Sequence, residues 1–283
     1  MPLDEAVLSE IAAAAHLIKE SRYVIALTGA GVSVESGIRP FRGPGGLWTE
    51  RGEPPMDGYR RFESDPKGYW EERLSPARRS MFGDGFEAAR PNPGHYAFTE
   101  LEEMGVLKSL VTQNIDNLHN EAGSTRVLEI HGNRHKLRCI RCGERFPASG
   151  FDLSTLPPRC PECGGVVKDD IVMFGEPIPR DVLEACQIEA GRSDCIIVAG
   201  TSAVVYPAAS LPLIVKEKGG TIIEVNPHES ELSGICDVSI RASSGEALPA
   251  LVEEIKRSLV SSGSSLRPPS RSRTRRPPSA PCR

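Results

Sequence analysis

The chain has 283 residues, 39% of them hydrophobic, and a formal net charge of −4, which is enough apolar material for one large or two modest globular domains. It contains no apolar run of 18 residues, so we expect no transmembrane helix. The N-terminus turns acidic at Asp4 and Glu5 without the basic and then apolar stretch of a secretory leader, which favours a cytoplasmic location.

The charge is divided unevenly between the body of the chain and its C-terminal end. Residues 261–283 contain six arginines and no acidic residue, so removing them from the net −4 leaves the body near −10. An acidic body disfavours nucleic acid, leaving only the arginine-rich tail as a contact for it, and favours cationic partners such as lysine-rich peptides. The Ser, Arg and Pro composition of this tail predicts disorder.

Helical and strand patterns alternate along the body. Such alternation predicts an α/β fold with a mostly parallel, Rossmann-like sheet covered by helices. The predicted helices lie near residues 7–18, 94–104, 179–190, 207–218 and 248–259, and the predicted buried strands at 23–27, 110–112, 195–199 and 221–225.

Two stretches interrupt this alternation. Residues 40–92 are rich in Gly, Pro, Arg and aromatic residues, and residues 133–169 carry paired cysteines. We expect these insertions to form a smaller second module, part helical and part zinc ribbon, within one folded unit of residues 1–260. Residues 261–283 would remain outside it as the disordered tail.

Four of the eight cysteines form two CxxC pairs, Cys139 with Cys142 and Cys160 with Cys163. The 17 residues between the pairs fit a zinc ribbon, in which two knuckles supply a tetrahedron of thiolates. Disulfides or unpaired thiols are the alternative, but the remaining cysteines are scattered. Four thiolates leave no open coordination position, so we expect one structural Zn²⁺ per chain that activates no water.

Three predicted strands end in turn-forming residues. Gly29-Ala-Gly-Val-Ser33 follows the first strand, Gly200-Thr-Ser202 follows a second, and Asn226-Pro227 a third. Carboxyl ends of parallel strands meet at one sheet edge, where α/β proteins bind ligands. A short glycine turn alone is also common without a ligand, so this feature leaves nucleotide binding and a bare turn both open.

Polar residues cluster after another strand. Gln113-Asn-Ile-Asp116 comes directly after the apolar run that ends at Thr112, His119 follows, and His131 precedes the cysteine module. Each of these residues alone is more often a cap, a turn former or a satisfied histidine, whereas their combination at a strand end favours an active site.

Together these motifs resemble the sirtuin family, NAD-dependent protein deacylases, over roughly residues 20–257. The closest similarity is to the bacterial and archaeal branch that carries an AESGI-x-TFR-like segment. The motifs that carry the resemblance are Gly29–Ser33, Val34–Arg42, Thr112–His119, His131-Gly132, the two CxxC pairs, Val172–Glu176, Gly200–Ser202 and Val225–Pro227.

The resemblance implies a Rossmann-like domain that holds NAD as co-substrate, with an acyl-lysine protein or peptide entering between it and the zinc module. Residues implied to contact NAD are Gly29, Ala30, Gly31, Ser33, Phe41, Arg42, Trp48, Gln113, Asn114, Ile115, Asp116, Gly200, Thr201, Ser202, Asn226, Pro227 and Ser244. Val172, Phe174 and Gly175 are implied to contact the substrate, whose peptide would pair with this segment as an added strand.

The implied reaction is deacylation of lysine, in which the acyl group passes to ADP-ribose as nicotinamide is released. His131 is implied to be the general base, taking a proton from a ribose hydroxyl. Asp116 would bind the carboxamide, and Asn114 would orient the ribose and a water. The chain departs from the family at Arg39-Pro40, which alters the backbone of the mobile loop ahead of Phe41 and Arg42.

The resemblance also bears on the acyl group. Sirtuins that prefer succinyl or malonyl lysine carry a Tyr-x-x-Arg pair after the mobile loop. With Trp70 as anchor, Arg73 and Pro76 fall at these positions, although Tyr69 and Arg73 could share a helical face and Arg78 or Arg79 could reach in. We therefore expect uncharged acyl groups to be preferred.

Three other functions remain open at this point. The chain could bind NAD or ADP-ribose as a sensor without turnover, or it could be a mono-ADP-ribosyltransferase. A zinc-ribbon DNA binder fits the acidic body poorly.

Overall fold

The computed structural model describes residues 3–75, 86 and 88–261. The helices are α1 Glu5–Glu20, α2 Leu47–Arg51, α3 Gly58–Ser64, α4 Pro66–Leu74, α5 Pro93–Glu103, α6 Leu118–Glu121, α7 Arg180–Arg192, α8 Leu211–Glu217 and α9 Ser244–Ser261. The strands are β1 Val24–Thr28, β2 Leu107–Thr112, β3 Val127–Glu129, β4 Lys136–Cys139, β5 Arg145–Pro147, β6 Val167–Asp169, β7 Cys195–Ala199, β8 Thr221–Val225 and β9 Val238–Ile240. Short 3₁₀ helices cover Ala30–Ser36, Ala208–Ser210 and Ser233–Ile235.

Six strands form one parallel sheet in the order β3-β2-β1-β7-β8-β9. Its register aligns the strand ends, because Thr28 of β1 lies opposite both Thr112 of β2 and Ala199 of β7. Val225 of β8 in turn lies opposite Ala199. The residues that follow these four strands therefore leave the sheet side by side at one edge.

Both faces of this sheet are buried, as in parallel sheets covered by helices. Alternate residues of β1 point to opposite faces: Ala26 packs with the core that includes α1, α5 and α9, whereas Ile25 and Leu27 pack with the core under α7 and α8. All five residues of β1 and of β7 are buried, which explains their continuous apolar sequence.

The insertions form a small layer beside the sheet. Strands β5-β4-β6 make an antiparallel sheet around the cysteines. Trp70 of α4 packs on Leu137 and Val167, and its indole N–H donates to the Val167 carbonyl at 2.8 Å. The helical insertion and the cysteine module are thus in direct contact.

Two strands of the large sheet, β3 and β9, have no counterpart among the predicted elements. Each has only three residues and lies at an edge of the sheet. An apolar run of this length is too short to predict a strand from sequence. Strand β2 also begins earlier than predicted, at Leu107, because Lys108 and Ser109 interrupt its apolar sequence.

Within the part of the chain that the structure describes, no helix combines the length and apolar character needed to cross a membrane. The expected disordered tail lies beyond Ser261, outside the described residues.

Candidate functional site

Glycines bring the ends of β1 and β7 into close contact. The Gly31 N–H donates to the Gly200 carbonyl at 2.8 Å, and a Cβ on Gly31 would lie 2.6 Å from the Gly200 Cα. Gly200 itself adopts φ +59°, which favours glycine. Gly29 is equally tight, since its Cβ would meet the Thr201 side chain at 2.7 Å. Larger residues at these positions would separate the two turns that the sequence predicted to hold a nucleotide.

Ser33, Asn114 and Asp116 form a buried hydrogen-bonded group behind this turn. The Ser33 hydroxyl donates to Asp116 Oδ2 at 2.7 Å, while Asn114 Nδ2 donates to Ser33 Oγ at 3.1 Å and to the Gly29 carbonyl at 3.0 Å. The carboxyl end of β2 is thereby fixed to the start of the 3₁₀ helix after β1. Two motifs predicted separately from sequence, Gly29–Ser33 and Gln113–Asp116, are therefore in direct contact.

The Asp116 carboxyl is held by both of its oxygens, since Oδ1 also accepts the Leu118 N–H at 2.9 Å. Burial raises the pKa of Asp116 above its usual value, although hydrogen bonds from Leu118 and Ser33 act in the opposite direction. A carboxyl in this position suits a hydrogen-bonding role toward a neutral amide ligand.

Two buried histidines back this group. His95 of α5 has Nε2 3.4 Å from Ser33 Oγ, and His119 of α6 has Nε2 3.0 Å from Thr28 Oγ1. Their rings lie 4.8 Å apart. Burial lowers the pKa of His95 to about 4 and that of His119 well below its usual value, so both are neutral at pH 7.

His95 was not among the predicted site residues. In the sequence it lies at the third position of a helix, after an Asn92 cap and ahead of an apolar stripe, which is typical of a structural histidine. Its Nδ1 does accept the Asn92 N–H, completing a capping box. Only the fold shows that its other nitrogen faces Ser33.

His131 lies just after β3, facing the same edge. Its Nδ1 is 3.2 Å from the Gln113 carbonyl, and its own carbonyl accepts the Val172 N–H at 2.9 Å. Burial lowers the pKa of His131, partly offset by the bond to Gln113, so the imidazole is neutral at pH 7. Among the described residues, no group forms a hydrogen bond with Nε2, which remains able to accept a proton.

The second and third predicted turns adjoin this group. Gln113 Nε2 donates to Thr201 Oγ1 at 3.0 Å, and Asn226 Nδ2 donates to the Thr201 carbonyl at 3.0 Å. Pro227 is exposed beside them. Ser244 begins α9, and its hydroxyl is buried without a hydrogen-bond partner in the described parts of the chain.

The predicted mobile loop lies against the predicted substrate segment, Val172–Glu176. Phe41 stacks on Trp48 with ring centroids 4.5 Å apart, and Trp48 meets the edge of Phe174 at 5.4 Å. The Arg42 guanidinium lies 4.6 Å above the Trp48 ring and pairs with Glu53 at 2.7 Å. The loop and the predicted substrate segment therefore share one aromatic cluster.

The segment Val172–Glu176 is held from several sides. The Val172 N–H donates to the His131 backbone carbonyl, and the Phe174 carbonyl accepts the Tyr59 N–H at 3.0 Å. Gly175 adopts φ +80°. A Cβ on Gly175 would lie 2.4 Å from the Met56 carbonyl, so this close approach requires glycine. The segment that was predicted to bind the substrate is thus preshaped next to the candidate base.

The cysteine module has the geometry of a zinc site. All four sulfur atoms lie within 4.8 Å of one another. The Cys139–Cys163 and Cys142–Cys160 sulfur distances are 3.5 and 3.7 Å, close to the roughly 3.8 Å expected between thiolates 2.3 Å from one tetrahedral Zn²⁺. Backbone N–H groups also point at the sulfurs, at 3.4 Å from Arg141 to Cys139 and from Gly165 to Cys163. The donor set fits a closed, structural zinc.

The comparisons with known proteins agree with this arrangement. A family model described as Sir2 family matches residues 29–207. The chain is 45% identical over 249 residues to the NAD-dependent protein deacylase of Thermococcus kodakarensis, covering 86% of this chain and 95% of that protein. The chain belongs to the Sir2 family.

Solved Sir2 structures share its fold. A Sir2 homologue in complex with ADP-ribose superimposes with a TM-score of 0.74 at 44% identity, covering 91% of this chain and 98% of that chain. A second, Sir2Af2 bound to a myristoylated histone peptide, gives a TM-score of 0.66 at 38% identity, covering 89% of this chain and 99% of the other. The predicted α/β fold with a Rossmann-like sheet is confirmed by these similarities.

Proposed function

We propose that this chain is an NAD-dependent protein-lysine deacylase that uses His131 as its general base. The observation that carries the proposal is the joining of five predicted groups at one sheet edge, where Ser33, Gln113, Asn114, Asp116 and His131 are linked by hydrogen bonds or backbone contacts. Relatives of similar length are named NAD-dependent protein deacylases, and Sir2 homologues have been solved with NAD and ADP-ribose.

In this proposal the two glycine turns hold the pyrophosphate. The 3₁₀ helix Ala30–Ser36 begins directly after Gly29, which is the strand-to-helix placement in which a turn can approach a phosphate group. Asn226 and Ser202 lie on the side of β8, where the adenosine half would bind. NAD would supply an electrophilic ribose carbon and nicotinamide as the leaving group.

The chain's own residues then orient and deprotonate. Asp116, fixed by Ser33 and Leu118, hydrogen-bonds the carboxamide. Asn114 orients a ribose hydroxyl, and neutral His131 takes the proton from it at Nε2, since Nδ1 is engaged by the Gln113 carbonyl. Phe174 and Val172 line the path of the lysine stem beside this base.

The acyl group is proposed to be uncharged. Tyr69 and Arg73 share one face of α4, but both are directed at Asp169: the Tyr69 hydroxyl donates to Oδ2, and Arg73 Nε lies 3.1 Å from the same oxygen. Both side chains are therefore engaged by Asp169 of the zinc module. Pro76, Arg78 and Arg79 lie outside the described residues.

The test is nicotinamide release from NAD with and without an acetyl-lysine peptide. A deacylase releases nicotinamide only with the acylated peptide and leaves the peptide lighter by the acyl group. Release with an unacylated peptide that becomes heavier would indicate a mono-ADP-ribosyltransferase, and ADP-ribose binding without any release would indicate a sensor. Either result would contradict the proposal.

A further inference from the structure

Glu224 and Arg241 form an ion pair beside the nucleotide turns. The Glu224 carboxylate forms no hydrogen bond with any of the proposed NAD contacts. Glu224, near the end of β8, has a side chain that is 1% exposed. Its carboxylate accepts hydrogen bonds from Arg241 NH1 at 2.6 Å, from Ser233 Oγ at 2.7 Å, from Ser239 Oγ at 3.3 Å and from the Ser230 hydroxyl. Such a set of donors satisfies a carboxylate removed from water.

Arg241 extends the connection to the loop of residues 226–233, which we name the adenosine-side loop. Its NH1 donates to the His228 carbonyl at 3.1 Å and to the Asn226 carbonyl at 3.4 Å, and NH2 donates to Ser233 Oγ at 2.9 Å. The pair therefore holds this loop at its beginning, middle and end.

The adenosine-side loop is held mainly by polar contacts. Pro227, His228, Glu229 and Glu231 are exposed, and Leu232 is its only buried residue. With a single buried apolar residue, a loop of this kind samples several conformations unless polar contacts fix it. The Glu224–Arg241 pair supplies several of those contacts.

The same loop bonds to the second nucleotide turn. Asn226 Nδ2 donates to the Thr201 carbonyl, and the Glu231 N–H donates to the Ser202 carbonyl at 3.3 Å. A shift of the loop would therefore move Asn226 and loosen the turn at Thr201 and Ser202.

We propose that Glu224 and Arg241 are positioning residues for the adenosine half of NAD, which they favour by keeping the adenosine-side loop in its binding conformation. This inference rests on the proposed function, in that Asn226 and Ser202 are taken as nucleotide contacts. If only a fraction of molecules holds the loop correctly, the apparent nucleotide affinity falls to that fraction of its full value, whereas acyl-lysine affinity, which is proposed to depend on Val172 and Phe174, should not change.

The experiment measures ADP-ribose binding by calorimetry for Glu224→Gln and Arg241→Lys. Glutamine keeps the shape but removes the charge, and lysine keeps the charge but cannot reach Glu224 and two carbonyls together. We expect the ADP-ribose Kd to rise at least about tenfold in both variants. NAD KM should rise in parallel, with peptide KM and kcat at saturating NAD within about twofold of the parent protein.

The matched control is Lys216→Met. Lys216 pairs with Asp237 at 2.8 Å, and Asp237 also accepts the Ile222 N–H. This ion pair lies at the start of β8, the end of the strand opposite to the nucleotide turns. Its loss should leave the ADP-ribose Kd unchanged, which separates positioning from a general loss of an ion pair.

An ADP-ribose Kd within about twofold of the parent value in folded Arg241→Lys would overturn the inference. That variant tests the inference even if Glu224→Gln does not fold, because the Arg241 side chain is 31% exposed and lysine retains a cation for the buried Glu224 carboxylate. The binding assay needs no turnover. If the variants bind ADP-ribose more weakly and the parent protein does not deacylate, the positioning role is supported while the proposed function is contradicted.

Discussion

The edge of the large sheet and the zinc ribbon hold their side chains by different means. At the sheet edge, Ser33, Asn114 and Asp116 are fixed by hydrogen bonds on top of two extensive apolar cores. The ribbon has a far smaller core, in which two of the five buried residues are the cysteines Cys139 and Cys160 themselves. The first region can be ordered by packing, whereas the second depends on its metal.

The largest effect should come from removing the zinc. Cys160→Ser removes one of four ligands, so we expect loss of bound zinc, unfolding of β4–β6 and loss of deacylation, because Val172–Glu176 continues directly from β6. Elemental analysis and hydrogen exchange of the ribbon would measure this. Zinc-free protein that keeps a protected ribbon and full activity would show that the metal is dispensable.

Loss of the base should be the next largest effect. His131→Ala should lower kcat by roughly a hundredfold or more, the contribution typical of a positioned acid–base group. ADP-ribose binding should survive, because the glycine turns and Asn226 do not depend on His131. Cys186→Ser, at a buried position in α7, serves as control. Near-normal turnover by His131→Ala would remove this residue from the mechanism.

His95, one of the two buried histidines behind the site, should make the free energy of unfolding depend on pH. Burial lowers the pKa of His95 to about 4, so its contribution is complete above its unfolded pKa near 6.5 and is lost as the pH falls toward 4. Between pH 7 and pH 5 this amounts to about 2 kcal/mol. Urea unfolding of the parent and of His95→Gln at both pH values measures it. An equal loss in the two proteins would exclude His95 as the source.

A smaller effect concerns the acyl group. Because Tyr69 and Arg73 are engaged by Asp169, neither is available to a buried acyl carboxylate, and acetyl-lysine should exceed succinyl-lysine in kcat/KM by about tenfold or more. Asp169→Asn should narrow this difference by releasing both side chains. A tenfold advantage for succinyl-lysine in the parent protein would refute the inference.

The smallest effect should follow truncation after Val260. Val260 is 82% exposed, and the sequence beyond it offers no apolar face for docking. Melting temperature and peptide turnover should therefore stay almost unchanged. A large decrease in either would mean that the tail packs on the body.

The sequence predicted most of this arrangement where the signal was local. The continuous apolar runs of β1 and β7 and the CxxC pairs are patterns formed by neighbouring residues, so the sequence alone was enough to predict them. The three-residue strands β3 and β9 were not predicted, because so short a segment carries no distinguishable apolar pattern.

Contacts between distant residues were equally hidden. His95 reaches Ser33 across 62 positions, and Tyr69 reaches Asp169 across 100. Glu224 read as part of an apolar strand, yet it is held by Arg241. In each case the residue type was compatible with a structural role, and only the fold showed what it contacts.

The most direct test of the account is the fate of the acyl group. With NAD and an acetyl-lysine peptide, mass spectrometry should show equal amounts of nicotinamide, deacetylated peptide and acetylated ADP-ribose, and His131→Ala should suppress all three together. Deacetylated peptide formed without consumption of NAD, or ADP-ribose attached to the peptide, would contradict it.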